Sequence, residues 1–132
     1  MQNFENTAMD PELRYKNELK KMVKDLMDCA YAKKASDVIA VHVGDRTIVA
    51  DWFVFMSGTS PIHVKSLCDE LEERAEEIGF TLRRREGYSE GRWIVLDFSS
   101  ILVHIFHPEE REYYNVERLW IDPTSETLKI TE

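Results

Sequence analysis

Residues 93–106 read Trp93-Ile94-Val95-Leu96-Asp97-Phe98-Ser99-Ser100-Ile101-Leu102-Val103-His104-Ile105-Phe106, two apolar runs hinged on a pair of serines. If the serines form a two-residue hairpin loop, Phe98 faces Ile101, Leu96 faces Val103 and Ile94 faces Ile105 across an antiparallel pair. Those aliphatic pairs make one face, which belongs in a core. Because side chains alternate with period two, the other face carries Trp93 beside Phe106, Val95 beside His104 and Asp97 beside Leu102. A tryptophan, a histidine and an aspartate thus share one surface. Two readings of it stand: a helix covers the face and each polar tip finds a partner, or the face is a recognition surface. Tryptophan suits the second because one side chain supplies a large apolar area and a donor.

Working outward, Val38-Ile39-Ala40-Val41-His42-Val43 is a nearly continuous β-branched run closed by Gly44-Asp45, and Trp52-Phe53-Val54-Phe55-Met56 is apolar on both faces. Both predict buried strands. Asp10-Pro11-Glu12 opens a helix with a cap, a proline and an acid, and Leu19, Met22, Val23, Leu26, Met27 and Ala30 form its apolar stripe. Ser60-Pro61 opens a second helix whose stripe is Val64, Leu67, Cys68, Leu71, Ala75 and Ile78, ended by Gly79. Phe80 to Tyr88 predicts a further strand, and His107-Pro108 a last helix through about Trp120, ended by Asp122-Pro123. The order helix, strand, strand, helix, three strands, helix predicts one α/β domain, an α+β mixture with a mixed five-stranded sheet flanked by helices. Residues 1–10 are expected to be a flexible N-terminus, 11–122 the folded domain and 123–132 a C-terminal tail.

The chain has 132 residues, and 17 Lys+Arg against 25 Asp+Glu leave a formal net charge of −8. That excess repels phosphate backbones, which disfavours broad or sequence-specific nucleic-acid binding and favours basic protein partners. No apolar run approaches the roughly 18 to 20 residues of a membrane span, and Glu5 and Asp10 do not suit a secretory leader. A cytoplasmic protein is expected. Cys29 and Cys68 lie on apolar helical stripes without Cys-x-x-Cys spacing, so buried, reduced thiols are expected.

Ser57-Gly58-Thr59-Ser60 joins a strand to a helix N-terminus, where free N–H groups could bind phosphate; the plainer reading is that Gly58 permits the turn and Ser60 caps the helix. Nucleotidyl transfer needs paired carboxylates for Mg²⁺, and none follows Gly58 until Asp69. His42, His63, His104 and His107 lack metal-ligand spacing, so neither metal nor cofactor is expected. Six acids from Asp69 to Glu77 read as a solvated helix face, and Arg83-Arg84-Arg85 alternates across a strand instead of forming a phosphate stripe.

Asp51-Trp52-Phe53-Val54-Phe55-Met56-Ser57-Gly58-Thr59-Ser60, Glu86-Gly87, Trp93-Ile94-Val95-Leu96-Asp97, Val103-His104-Ile105-Phe106, Arg111, Tyr113-Tyr114 and Glu117-Arg118-Leu119-Trp120 together resemble the ribosomal silencing factor family, also called Iojap. The resemblance covers about residues 14–122. It implies a nucleotidyltransferase-like fold without the catalytic carboxylates and a non-enzymatic translational repressor, homodimeric when free. Such a factor binds the large ribosomal subunit at ribosomal protein fourteen and sterically blocks association with the small subunit. By position, Trp93 matches the strand tryptophan that the resemblance associates with the ribosomal contact and its sheet neighbours Asp97 and His104 match flanking motif positions, with Ser60, His63, Glu86, Tyr114 and Trp120 as further contact candidates. The chain departs from the family at Ser99-Ser100, where Gly-Asp is common, and at Pro61-Ile62, where a polar or basic pair is usual. The competing reading is a nucleotidyltransferase-like nucleotide-binding enzyme using Ser57 to Ser60 and Asp97.

Overall fold

Asp10 accepts a hydrogen bond from the Glu12 N–H and Pro11 takes the first helical position, so α1 (Pro11–Ala32) begins where the cap and the fixed proline φ both allow it. The computed structural model describes residues 10–130; the N-terminus expected to be flexible lies outside them except for Asp10. The buried stripe of α1 is Leu19, Val23, Leu26, Met27 and Ala30. β1 (Ser36–His42) and β2 (Trp52–Ser57) follow, then α2 (Pro61–Glu77), capped by Ser60. β3 (Arg84–Glu86), β4 (Trp93–Asp97) and β5 (Ile101–Phe106) lead to α3 (Pro108–Tyr114), a 3-10 turn (Val116–Leu119) and β6 (Thr127–Lys129).

The strands form one sheet in the order β3-β4-β5-β2-β1-β6. β2 and β5 run parallel, as the α2 crossover requires, and every other neighbouring pair is antiparallel. The β4–β5 register is the expected one: Trp93 opposite Phe106, Ile94 opposite Ile105, Val95 opposite His104, Leu96 opposite Val103 and Asp97 opposite Leu102. α1 and α2 pack on the face bearing Val54, Met56, Ile94, Leu96, Val103 and Ile105, all fully buried. The opposite face carries Ile39, Val41, Phe53, Phe55 and Phe106, with Val116, Trp120 and Ile121 of the C-terminal segment packed against it.

Three expectations change. The sheet has six strands instead of five, because residues 127–129, expected within a tail, pair with Ile39 to Val41 along the β1 edge. Leu128 and Ile130 pack on the main core there, and Lys20 pairs with Glu126 at 2.6 Å. The strand expected over Phe80 to Tyr88 shrinks to Arg84–Glu86, since Phe80 and Leu82 pack against the core from irregular backbone. The last helix breaks at Asn115, whose left-handed φ of 45° ends α3 before the 3-10 turn starts. Asparagine is among the few side chains that tolerate that conformation.

Candidate interface on the open sheet face

Period-two alternation stacks five rings from three adjacent strands on the face opposite the two long helices. The Trp93 ring lies 5.1 Å from Phe106, and the His104 ring stacks at 5.0 Å on Phe55, with Phe53 edge-on at 5.8 Å. The C-terminal segment adds an aromatic at each side: Tyr114 sits 5.0 Å from Trp93, and Trp120 stands edge-on to Phe53 at 4.9 Å. His104 lies between these two walls, on the strand that separates β4 from β2.

Trp93 Nε1 donates to His104 Nδ1 at 3.1 Å. Tryptophan can only donate, so Nδ1 must be the unprotonated nitrogen and the ring carries its hydrogen on Nε2. His104 is 6% exposed, and burial pushes its pKa down to about 4, which keeps the ring neutral at physiological pH.

The segment that frames this face is tied down at several points. Arg111, in α3, donates to both carboxylate oxygens of Glu117, at 2.6 and 3.0 Å, and to Ser57 Oγ at 2.9 Å, linking the end of β2 to the 3-10 turn. Arg46 donates to the Trp120 carbonyl, lies 5.5 Å from the Trp120 ring and pairs with Asp122 at 3.6 Å. Arg92 binds Glu110 and, at 2.9 Å, Glu109, and its hydrogen bond holds the Glu110 carboxyl below the usual carboxylate range. Beneath Trp93 the backbone packs so closely that a Cβ on Gly87 would lie 2.0 Å from the Trp93 carbonyl oxygen, and Gly87 sits at φ +84°. Only glycine fits there. Beside this framework Tyr113, Leu119 and Tyr114 are 81%, 76% and 53% exposed, an unusual share of large apolar surface for one short segment.

The other sequence-derived candidates are placed differently. Asp97 shares the Trp93 face by parity, but its Oδ1 accepts from the Ser99 N–H at 2.8 Å, so it holds the hairpin turn. Glu86 is exposed in β3 and pairs with Arg84 at 3.3 Å. Ser60 caps α2, accepting from the His63 N–H at 3.1 Å. His63 accepts from the Thr59 N–H at 2.9 Å and reaches the Lys33 carbonyl at 2.8 Å, so both ring nitrogens are spent locally. The Gly58 N–H is likewise bonded, to the Phe106 carbonyl at 2.9 Å. With these donors engaged, the Ser57 to Ser60 loop is a cap and turn, and its geometry does not support a phosphate cradle.

Trp93, His104, Tyr114 and Trp120 are therefore brought together, whereas Ser60, His63, Glu86 and Asp97 serve turns, caps and surface pairs. Sequence reasoning missed the supporting roles of Phe53, Phe55, Gly87, Arg111 and Arg46; alternation along β2 was the available signal for the two phenylalanines. Among the described residues, two clusters have the ligand atoms for a metal, Cys68-Asp69-Glu72 and His107-Glu109-Glu110. Arginines already occupy Glu72, Glu109 and Glu110, and Asp69 accepts from Tyr88 at 3.0 Å. Burial raises both thiols, that of Cys68 to about 12, so neither is a thiolate nucleophile at neutral pH. No described helix is long and apolar enough to cross a membrane.

Comparison with known proteins agrees with the motif reading. A family described as "Ribosomal silencing factor during starvation" matches residues 16–132, so the match includes β6. A ribosomal silencing factor from Halalkalibacterium halodurans is 41% identical over 95 residues, covering 71% of this chain and 81% of that protein. A mouse protein named for mitochondrial assembly of the ribosomal large subunit is 30% identical over 91 residues, covering 67% of this chain and 40% of its own length. A crystal structure from Bacillus halodurans superposes with a TM-score of 0.71 at 32% identity, covering 84% of this chain and 99% of that one. Fold, ordered motifs and extent of match agree: the chain belongs to the ribosomal silencing factor family.

Proposed function

We propose that this protein represses translation in the cytoplasm by docking its Trp93 face on ribosomal protein fourteen of the large subunit, where its bulk blocks association with the small subunit. The observation that carries the reading is the aromatic surface of Trp93, Tyr114 and Trp120, left open by the long helices and bordered by exposed Tyr113 and Leu119. Surfaces of this composition are favoured protein anchors. The net charge of −8 suits a basic ribosomal protein and opposes binding to bare RNA. The family assignment supports a ribosomal target, and the mouse relative's name mentions the large subunit. Occlusion needs no chemistry and no cofactor. The free protein is proposed to be a homodimer, which sedimentation velocity tests.

The test is co-sedimentation with separated large and small subunits, scored also for loss of joined ribosomes. Binding to the large subunit alone, with joining blocked, is expected. Trp93→Ala should weaken that binding by about 1–4 kcal/mol if Trp93 is a central anchor. A folded protein that binds neither subunit refutes the proposal, and unchanged binding of a folded Trp93→Ala removes Trp93 from the interface.

A further inference from the structure

We infer that His104 selects the partner through its Nε2–H, which donates to an acceptor oxygen that the docked ribosomal protein must place between Trp93 and Trp120. The inference rests on the docking reading above and specifies the chemistry of that contact. Trp93 consumes the Nδ1 lone pair, which leaves a neutral ring with one N–H still to satisfy. No group among the described residues accepts from Nε2. Nor is that atom sealed away, since the one fully buried side-chain N or O without a partner among the described residues is Glu110 Oε1. The ring is nonetheless 6% exposed and flanked by Phe55 and Phe106, so its N–H is a single polar point in an apolar floor.

A partner that docks on this face removes the remaining water from Nε2. An acceptor in the right place restores the lost hydrogen bond, whereas an aliphatic side chain or a lysine or arginine tip leaves the N–H buried and unpaired. A basic ribosomal protein offers cations across its surface, and this floor rejects them at its centre. The matching group is a backbone carbonyl or a side-chain amide, hydroxyl or carboxylate oxygen.

Large-subunit affinity is measured for the wild type, His104→Phe and His104→Gln, each checked for folding by thermal melting. Glutamine can accept from Trp93 and donate outward, while phenylalanine can do neither. Binding weaker by about tenfold or more for His104→Phe, and within about threefold of wild type for His104→Gln, is expected. A folded His104→Phe that binds like wild type overturns the inference and leaves the docking reading standing. If His104→Phe does not fold, the ¹⁵N-imidazole spectrum of the wild type decides, with isolated ribosomal protein fourteen added. Slowed exchange and a shift of the Nε2–H resonance support the donor role, and an unchanged, fast-exchanging resonance refutes it. Failure of the wild type to bind any subunit overturns the docking reading and this inference with it.

Discussion

His104 should make the protein acid-labile in a window that no carboxylate explains. Above pH 6.5 the imidazole is neutral in both folded and unfolded chains and contributes no pH dependence. As the pH falls through 6.5 the unfolded chain takes up a proton that the folded chain refuses until about pH 4, because burial among Phe53, Phe55 and Phe106 penalises the imidazolium. Stability therefore falls across that window. At about 1.4 kcal/mol for each pH unit between the two values, the loss grows to about 2–3 kcal/mol between pH 4.5 and pH 4. The ring is 6% exposed, so solvent does little to discount this figure. Urea unfolding of the wild type and His104→Gln at pH 7.0, 5.5 and 4.5 isolates the effect, because carboxylates common to both proteins cancel in the difference. The wild type should lose about 2–3 kcal/mol relative to the variant between pH 7.0 and 4.5. A difference that stays constant with pH would show that burial does not hold His104 below its unfolded pKa, and the acid-labile window would have to be abandoned.

Three further outcomes follow from the framework around the face. Gly87→Ala places a Cβ 2.0 Å from the Trp93 carbonyl at φ +84°, so it should cost about 2–4 kcal/mol in urea unfolding and weaken large-subunit binding by shifting Trp93. Arg111→Met strands Glu117 and the 3%-exposed Ser57, which should cost about 2–4 kcal/mol and alter tryptophan fluorescence as the turn carrying Trp120 loosens. An unchanged emission spectrum and melting temperature would rule out the latch. A chain ended after Asp122 loses β6, the Lys20–Glu126 pair and the burial of Leu128 and Ile130, so it should melt lower by about 2–4 kcal/mol of stability. Melting at the wild-type temperature would make β6 dispensable.

What the sequence disclosed and what it withheld divide along a physical line. The Trp93–Phe106 register was legible because two strictly alternating runs meet at a short turn, where a slip of one residue would expose every aliphatic side chain. Helix starts were legible because Asp10-Pro11 and Ser60-Pro61 write their caps locally. β6 was not, since three residues carry almost no periodicity and the strand exists only because β1 offers an open edge far away in sequence. The break at Asn115 was hidden because a polar residue inside an otherwise helical pattern does not announce a left-handed φ. For the site, Trp93 and His104 could be placed on one face by parity alone, but parity placed Asp97 there equally well, and only the bond to Ser99 shows it bound to the turn. The latch of Arg111 to Ser57 spans 54 residues, and no local pattern specifies such a contact. Alternation thus tells which side of a sheet a residue occupies, while the partner that consumes its polar atoms decides whether it remains available. His104 keeps its Nε2–H unspent in a buried floor, whereas both ring nitrogens of His63 are engaged and Asp97 Oδ1 and Ser60 Oγ accept from their own turn and cap, and on the proposed docking reading that singles out His104.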